Sequence, residues 1–291
     1  MVAVLLCVVA SGQARAQTNL VQNGTFTSTT NGGGAYYTGT GTAPLGTTQA
    51  TYWSACATTA CESADGNYPF LFIATPGTAD NAIANTTSAT LTGGVGFADP
   101  WDDPSGAGND ATGVAFRGVY GANSGGYGPS GTSATGAWNG YGPGGTTDTS
   151  NILVADGGYH PTSISQTISG LTAGNYYAVT FNWAAGQWQG AGGATTEQWQ
   201  VSLGAQTLGT AVYSLPSHSF SGWMSQTFVF TATAASEVLT FLAVGTTSGA
   251  PPLLLLDDVG LQYAPEPGAL SLLGVGAALV GLLARRKRQK V

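Results

Sequence analysis

The sequence predicts an all-β chain built as a sandwich or barrel, and three observations carry that prediction. Apolar and polar residues alternate with period two through most of the second half, the pattern of a strand with one face buried. Turn signals separate these stretches at short intervals. No stretch of the body sustains a helical period of apolar residues, so a βαβ arrangement is excluded.

In YYAVTFNWA, Tyr177, Val179, Phe181 and Trp183 alternate with Tyr176, Ala178, Thr180 and Asn182. EQWQVSL repeats the rhythm, with Trp199, Val201 and Leu203 on one face and Gln198, Gln200 and Ser202 on the other. WMSQTFVFTA groups Met224, Gln226, Phe228, Phe230 and Ala232. EVLTFLAV and LLLLDDVGLQ are more continuously apolar, the expectation for central strands covered on both faces. Turns are expected at Ser169–Asn175 (SGLTAGN), Leu203–Gln206 (LGAQ) and Thr246–Pro252 (TTSGAPP).

In the first half, strands are expected at Asn19–Phe26, Pro69–Ala74 and Thr112–Tyr120. Residues 31–150 form a long loop-rich insertion. Within it, 121–149 is dominated by Gly, Ser, Thr and Asn. Its Tyr127, Trp138 and Tyr141 would be wasted in a spacer, so it reads as a loop over the sandwich.

Charge narrows the function. The chain has 291 residues, and between Gln17 and Ala264 it carries one base, Arg117, against thirteen acids. That body has a net charge of −12 and no basic patch to neutralise phosphates, which argues against nucleic-acid binding. A Lys-poor, Gly- and Thr-rich composition suits a secreted β-protein.

The two ends read as addresses. Val2–Ala10 is a short apolar run followed by Ala-Arg-Ala at Ala14–Ala16, the small-x-small form of a signal-peptidase site. Residues 1–16 are therefore expected to be a signal peptide cut between Ala16 and Gln17, although no Lys or Arg precedes the apolar run. The body is then 17–264. At the other end, 268–284 is uncharged and 285–291 holds five bases. That is a single transmembrane helix of minimal length with a cytoplasmic basic tail.

Pro265, Glu266 and Pro267 stand directly before that run. The order of tripeptide, apolar helix and Arg-rich end over 265–291 resembles the PEP-CTERM sorting signal of exopolysaccharide-producing bacteria. The resemblance implies exosortase as a partner, removal of the helix, and delivery to the cell surface or extracellular matrix.

Cys56 and Cys61 lie five positions apart and in an oxidising compartment are expected to form a local disulfide. No His or Cys lies near them to build a metal site.

A second resemblance rests on NLVQNGTF, SISQTISGLTAGNYYAVTFNWA and LLLLDDVGLQ. Together these are similar to the galactose-binding-like jelly rolls, including carbohydrate-binding modules. The resemblance implies a jelly-roll sandwich, and a structural calcium ion held by Asp257 with Asn23 or its neighbours supplying carbonyl oxygen. Thr27 stands where the family often has an acid.

Asp257 and Asp258, adjacent in a strand, should point to opposite faces. ADPWDDPSGAGND gathers Asp99, Asp102, Asp103 and Asp110 but lacks the EF-hand register and reads as a solvated acidic loop. No G-x-S-x-G elbow or H-E-x-x-H is present, no carboxylate pair sits in a recognisable strand-end motif, and the two histidines, His160 and His218, stand in loop composition. The expectation is therefore a non-enzymatic body. Sugar rings stack on aromatic faces while polar groups fix their hydroxyls. Trp101, Tyr127, Trp138, Tyr141 and Trp188 are the loop aromatics that could do so for an exopolysaccharide; a matrix component without a defined ligand is the alternative, and a glycan-active enzyme the third reading.

Overall fold

The computed structural model describes residues 18–29, 50–55, 71–74, 76, 119, 140–158, 161, 163–187, 193–217, 219–246 and 252–265. Among them are eleven strands in two antiparallel sheets and one short 3-10 turn at Gly145–Thr147. The strands are β1 Ser54–Ala55, β2 Leu71–Ala74, β3 Ile152–Asp156, β4 Ser163–Ser169, β5 Tyr176–Gln187 and β6 Thr195–Leu203. They continue with β7 Gln206–Gly209, β8 Tyr213–Leu215, β9 Met224–Thr231, β10 Ser236–Gly245 and β11 Pro252–Ala264.

One sheet runs β1-β4-β10-β6-β7, with β8 also on β6, and the other runs β2-β3-β11-β5-β9. From β3 onward the chain crosses between sheets at β3 to β4, β4 to β5, β5 to β6, β8 to β9, β9 to β10 and β10 to β11. The last two strands return to lie between early ones. That interleaving is the double Greek key of a jelly roll, as the sequence led us to expect.

The core lies between the sheets. Tyr177, Val179, Phe181 and Trp183 of β5 face Trp199, Val201 and Leu203 of β6, and Leu239, Phe241 and Ala243 of β10 join them. Phe181 and Phe241 meet edge to face with centroids 5.1 Å apart. The expected alternations of β5, β6 and β9 all appear. The expected turns at Ser169–Asn175 and Leu203–Gln206 fall between β4 and β5 and between β6 and β7; of the third, at Thr246–Pro252, residues 247–251 lie outside the described residues.

β11 is continuously apolar because both faces are covered. Leu254 and Leu256 enter the inter-sheet core. Leu253 and Leu255 pack outward on a second cluster containing Val119, Ile152, Val154, Ala184 and Phe220.

Two expectations need correction. β10 is central in its sheet but covered on one face only, and Val238 is 46% exposed. Its outward residues are β-branched or apolar without being buried, which hid the alternation. Asn19–Phe26 is not a regular strand: Asn23 and Phe26 adopt φ of 53° and 52°. The segment joins β11 through single bonds, Leu20 N–H to Leu261 O and Val259 N–H to Gly24 O. Its Phe26 then turns inward to meet Trp53 at 5.4 Å. Of the expected strand at 112–120, only the buried Val119 is described.

Candidate functional site

The outer face of the five-stranded sheet carries the polar groups with the least ordinary surroundings. β11 holds a bulge: Asp257 pairs with Asn182 and Gly260 with Thr180, so three steps on β11 match two on β5. Asp258 absorbs the extra residue at φ 53°, a left-handed conformation Asp tolerates better than most. The two acids do not point to opposite faces as expected: the bulge between Leu256 and Val259 leaves both on the outer face, where Asp258 meets the outward Asn182, and they differ in burial instead. Asp257 is 0% exposed, while Asp258 is exposed.

Residues 140–150 lie over Asp257. A Cβ on Gly142 would sit 2.5 Å from Asp148 Oδ2 and 2.7 Å from Asp257 Oδ2. The two carboxylate oxygens therefore converge on the same small space, which only glycine leaves open. Asp148 is held in place by its own loop: Ser150 N–H donates to Oδ1 at 2.9 Å and Gly144 N–H to Oδ2 at 2.9 Å.

Asp257 Oδ1 accepts the Asp258 N–H at 2.7 Å, but buried Oδ2 has no hydrogen-bond partner. Burial, then the charges of Asp258 and Asp148, push its pKa up to about 8. Burial acts upward on Asp148 too, yet hydrogen bonds from Ser150 and Gly144 outweigh it, and its pKa is lowered.

A buried, orphaned carboxylate oxygen beside a second carboxylate is a donor set for a hard cation, and in that sense Asp257 and Asp148 fit calcium. Among the described residues no third His, Cys, Asp or Glu joins them, so carbonyl oxygens and water would complete the six to eight ligands calcium takes. Asn23 is engaged elsewhere. Its Nδ2 donates to Ser28 O at 2.8 Å and Thr51 O at 3.0 Å, and its Oδ1 accepts from Ser28 N. Its carbonyl accepts from Phe26 N–H and from the Trp53 indole.

Beside this centre the same face is open. Ser225 Oγ donates to Asn182 Oδ1 at 2.6 Å, and Asn182 Nδ2 donates to Asp258 Oδ2 at 3.0 Å. The exposed Thr180 and Thr227 pair next to them. Trp223 donates its indole N–H to Tyr141 O at 3.0 Å, which brings two aromatic residues to the margin.

Of the loop aromatics singled out from sequence, Tyr141 alone is described; Trp101, Tyr127, Trp138 and Trp188 lie outside the described residues, as do Ala16, Gln17, Cys56, Cys61, Glu266 and Pro267. So does the apolar run 268–284, and no described helix is long and apolar enough to cross a membrane. Pro265 is exposed directly after β11.

Sequence reasoning missed Asp148 and Glu197. Glu197 lies in the sandwich interior at the end of β6, 0% exposed. Thr195 Oγ1 donates to its Oε1, Oε2 is unpartnered, and burial pushes its pKa up to about 8. Period-two parity counted back from Trp199 already puts Glu197 on the inward face.

A family model described as a protein of unknown function (DUF642) matches residues 145–260. No curated protein matches the chain. Among solved structures, the enzymatically active domain of a bacteriophage CBA120 tailspike protein is similar at 15% identity, covering 42% of this chain and 17% of that one, with a TM-score of 0.28. A C-terminal domain described as a sugar-binding protein, EclA, shares 20% identity over 34% of this chain and 64% of its own, with a TM-score of 0.26. A carbohydrate-binding module solved with β-1,4-galactotriose shares 16% identity over 40% and 74%, also at 0.26. The chain thus spans less than two thirds of the first two of these structures.

Proposed function

We propose that this chain is an exported, non-catalytic protein of the cell surface or extracellular matrix whose jelly-roll body binds polysaccharide. The observation that carries the reading is the polar array Ser225–Asn182–Asp258, linked by hydrogen bonds on the solvent-accessible part of this sheet face with Tyr141 and Trp223 at its edge. A fixed carboxylate and amide can each take a pair of sugar hydroxyls while an aromatic margin receives the C–H face of a ring. The cation centre at Asp257 and Asp148 would hold residues 140–150 in place beside that array.

Retardation of the purified chain in native gels cast with polysaccharide tests this. The expected result is slowed migration in at least one polysaccharide gel, with affinity reduced about tenfold in Asn182→Ala, the loss of one or two hydrogen bonds to a charged or polar network. Unchanged migration of the wild type in every gel would leave the matrix-component reading.

Export and sorting rest on the two ends of the chain. Supporting a processing step at Pro265–Pro267 is the way β11 ends at Ala264 with Pro265 exposed immediately beyond, so the tripeptide follows the folded body without a spacer. Prolines there also keep a helix from propagating outward. Replacing Glu266, or both prolines, is expected to trap full-length protein in the membrane fraction, while wild type reaches the surface or matrix without 268–291. Both remaining intact in the membrane would reduce the segment to an anchor.

A further inference from the structure

The sheet on the opposite side of the sandwich carries a second feature. Tyr52 is 65% exposed and adopts φ 72°. A bulky aromatic residue in the left-handed region is a true outlier, because its Cβ crowds the following carbonyl. Strain of this kind persists where the surroundings impose it and clusters at ligand sites. The surroundings here are rigid: Thr51 N–H and Oγ1 both donate to Ser28 O, and Trp53 on the other side is buried with its indole bonded to Asn23 O. The strained backbone holds the Tyr52 ring out of the core.

Beside Tyr52 lies a cavity of about 210 Å³ lined by Gln22, Ser54, Ser165, Gln166 and Thr167. Its wall is built. Gln166 is 5% exposed, and its amide clasps the Gln22 backbone from both sides, Oε1 accepting from Gln22 N at 2.8 Å and Nε2 donating to Gln22 O at 2.8 Å.

From this cavity a row of hydroxyl residues crosses the sheet. Register pairs Ser54 with Ser165, Ser165 with Thr240, Thr240 with Ser202, and Ser202 with Thr207. At about 4.8 Å between strands the row is roughly 19 Å long. No described residue on this outward face is charged: its other members include Ser163, Thr167, Val238, Leu242, Gln198 and Gln200. On a chain whose body has thirteen acids, a face without one is a distinct environment.

We propose that this face is a second polysaccharide site, specific for a neutral, unbranched glycan, in which one sugar ring stacks on Tyr52 in the cavity and the chain runs along the hydroxyl row. An unbranched chain fits because the row runs in single file from strand to strand, with one hydroxyl residue on each of five strands. A neutral one fits because no described residue of this face carries a positive charge to pair with uronate or sulfate groups. The ligand class follows the general reading of the body as a polysaccharide binder, but the residues and the sheet are different.

The test is gel retardation of the full chain in hydroxyethyl cellulose, linear dextran and, as the anionic counterpart, alginate, with Tyr52→Gly and Asn182→Ala compared. Glycine relieves the positive φ, so Tyr52→Gly should melt at the wild-type temperature or above while losing about tenfold in affinity for a neutral polysaccharide, the scale of one aromatic stacking contact. Tyr52→Asn, which also tolerates this conformation, should lose binding likewise and guards against a folding artefact. Wild-type affinity in both Tyr52 variants overturns the site whatever Asn182→Ala does, and a loss confined to Asn182→Ala leaves the first array standing alone. Retardation by alginate only overturns the neutral specificity, and with it this proposal, while sparing the general reading.

Discussion

Trp199→Ala is expected to destabilise the chain by about 3–5 kcal/mol, the range for truncating a large aromatic in a close-packed core. Trp199 is 0% exposed and does three things at once. Its ring packs edge-on to Phe241 at 6.0 Å. It fills the inter-sheet layer with Val201 and Leu203 of its own strand. Its indole N–H donates to Leu255 O at 3.2 Å, a bond from one sheet to the other. Trp199→Phe separates these roles, because it keeps most of the apolar area and loses the inter-sheet bond. Its cost should be nearer 1–2 kcal/mol. Urea denaturation of the purified chains measures both. A loss below about 1 kcal/mol in Trp199→Ala would mean that the sheets are not held by this core.

The residues that make this core were visible in the sequence, because burial on one face imposes period two on strands such as β5 and β6. β11 was legible for a related reason: four leucines in succession require cover on both sides, and Val119 and Phe220 supply the outer cover. The rule failed at β10, where Val238 and Leu242 face outward and blur the alternation. It failed also at Asn19–Phe26, where the side chain of Asn23 and the inward swing of Phe26 decide the backbone and no ladder does.

The sites were less legible than the sheets. Asp257 was found through the resemblance of LLLLDDVGLQ to a known pattern, but its partner Asp148 stands 109 positions earlier in a Gly-rich stretch. Only the folding of 140–150 across the sheet brings the two together. Tyr52 has no signature at all in sequence. What sets it apart is a backbone angle fixed by its neighbours' hydrogen bonds, and that belongs to tertiary structure.

The Asp257 centre gives the second large effect: millimolar calcium should raise the melting temperature, and Asp257→Asn should remove the rise. A ligand at ~100 times its Kd adds about 2.7 kcal/mol to a folded state that alone binds it, or roughly 5–10 °C for a body of this size. The pH dependence fixes the mechanism more sharply. In chelator, the folded-state pKa of Asp257 is raised from 3.8 to about 8 and that of Glu197 from 4.5 to about 8. Between those limits the folded state holds protons that the unfolded state has released, so stability falls as pH rises. It is greatest below the unfolded values and is progressively lost up to about pH 8. Calcium requires the ionised carboxylate, so its binding expels the Asp257 proton, and the calcium increment should grow from pH 5 to pH 8 as the proton competes less. Asp257→Asn imitates the protonated side chain. It should flatten part of the pH slope, leave the share due to Glu197, and abolish the calcium increment at every pH. Melting curves of wild type and Asp257→Asn across that range, in chelator and in calcium, read all three quantities. A calcium increment that survives in Asp257→Asn would place the ion elsewhere, and identical wild-type curves with and without calcium would show that the paired carboxylates hold no calcium.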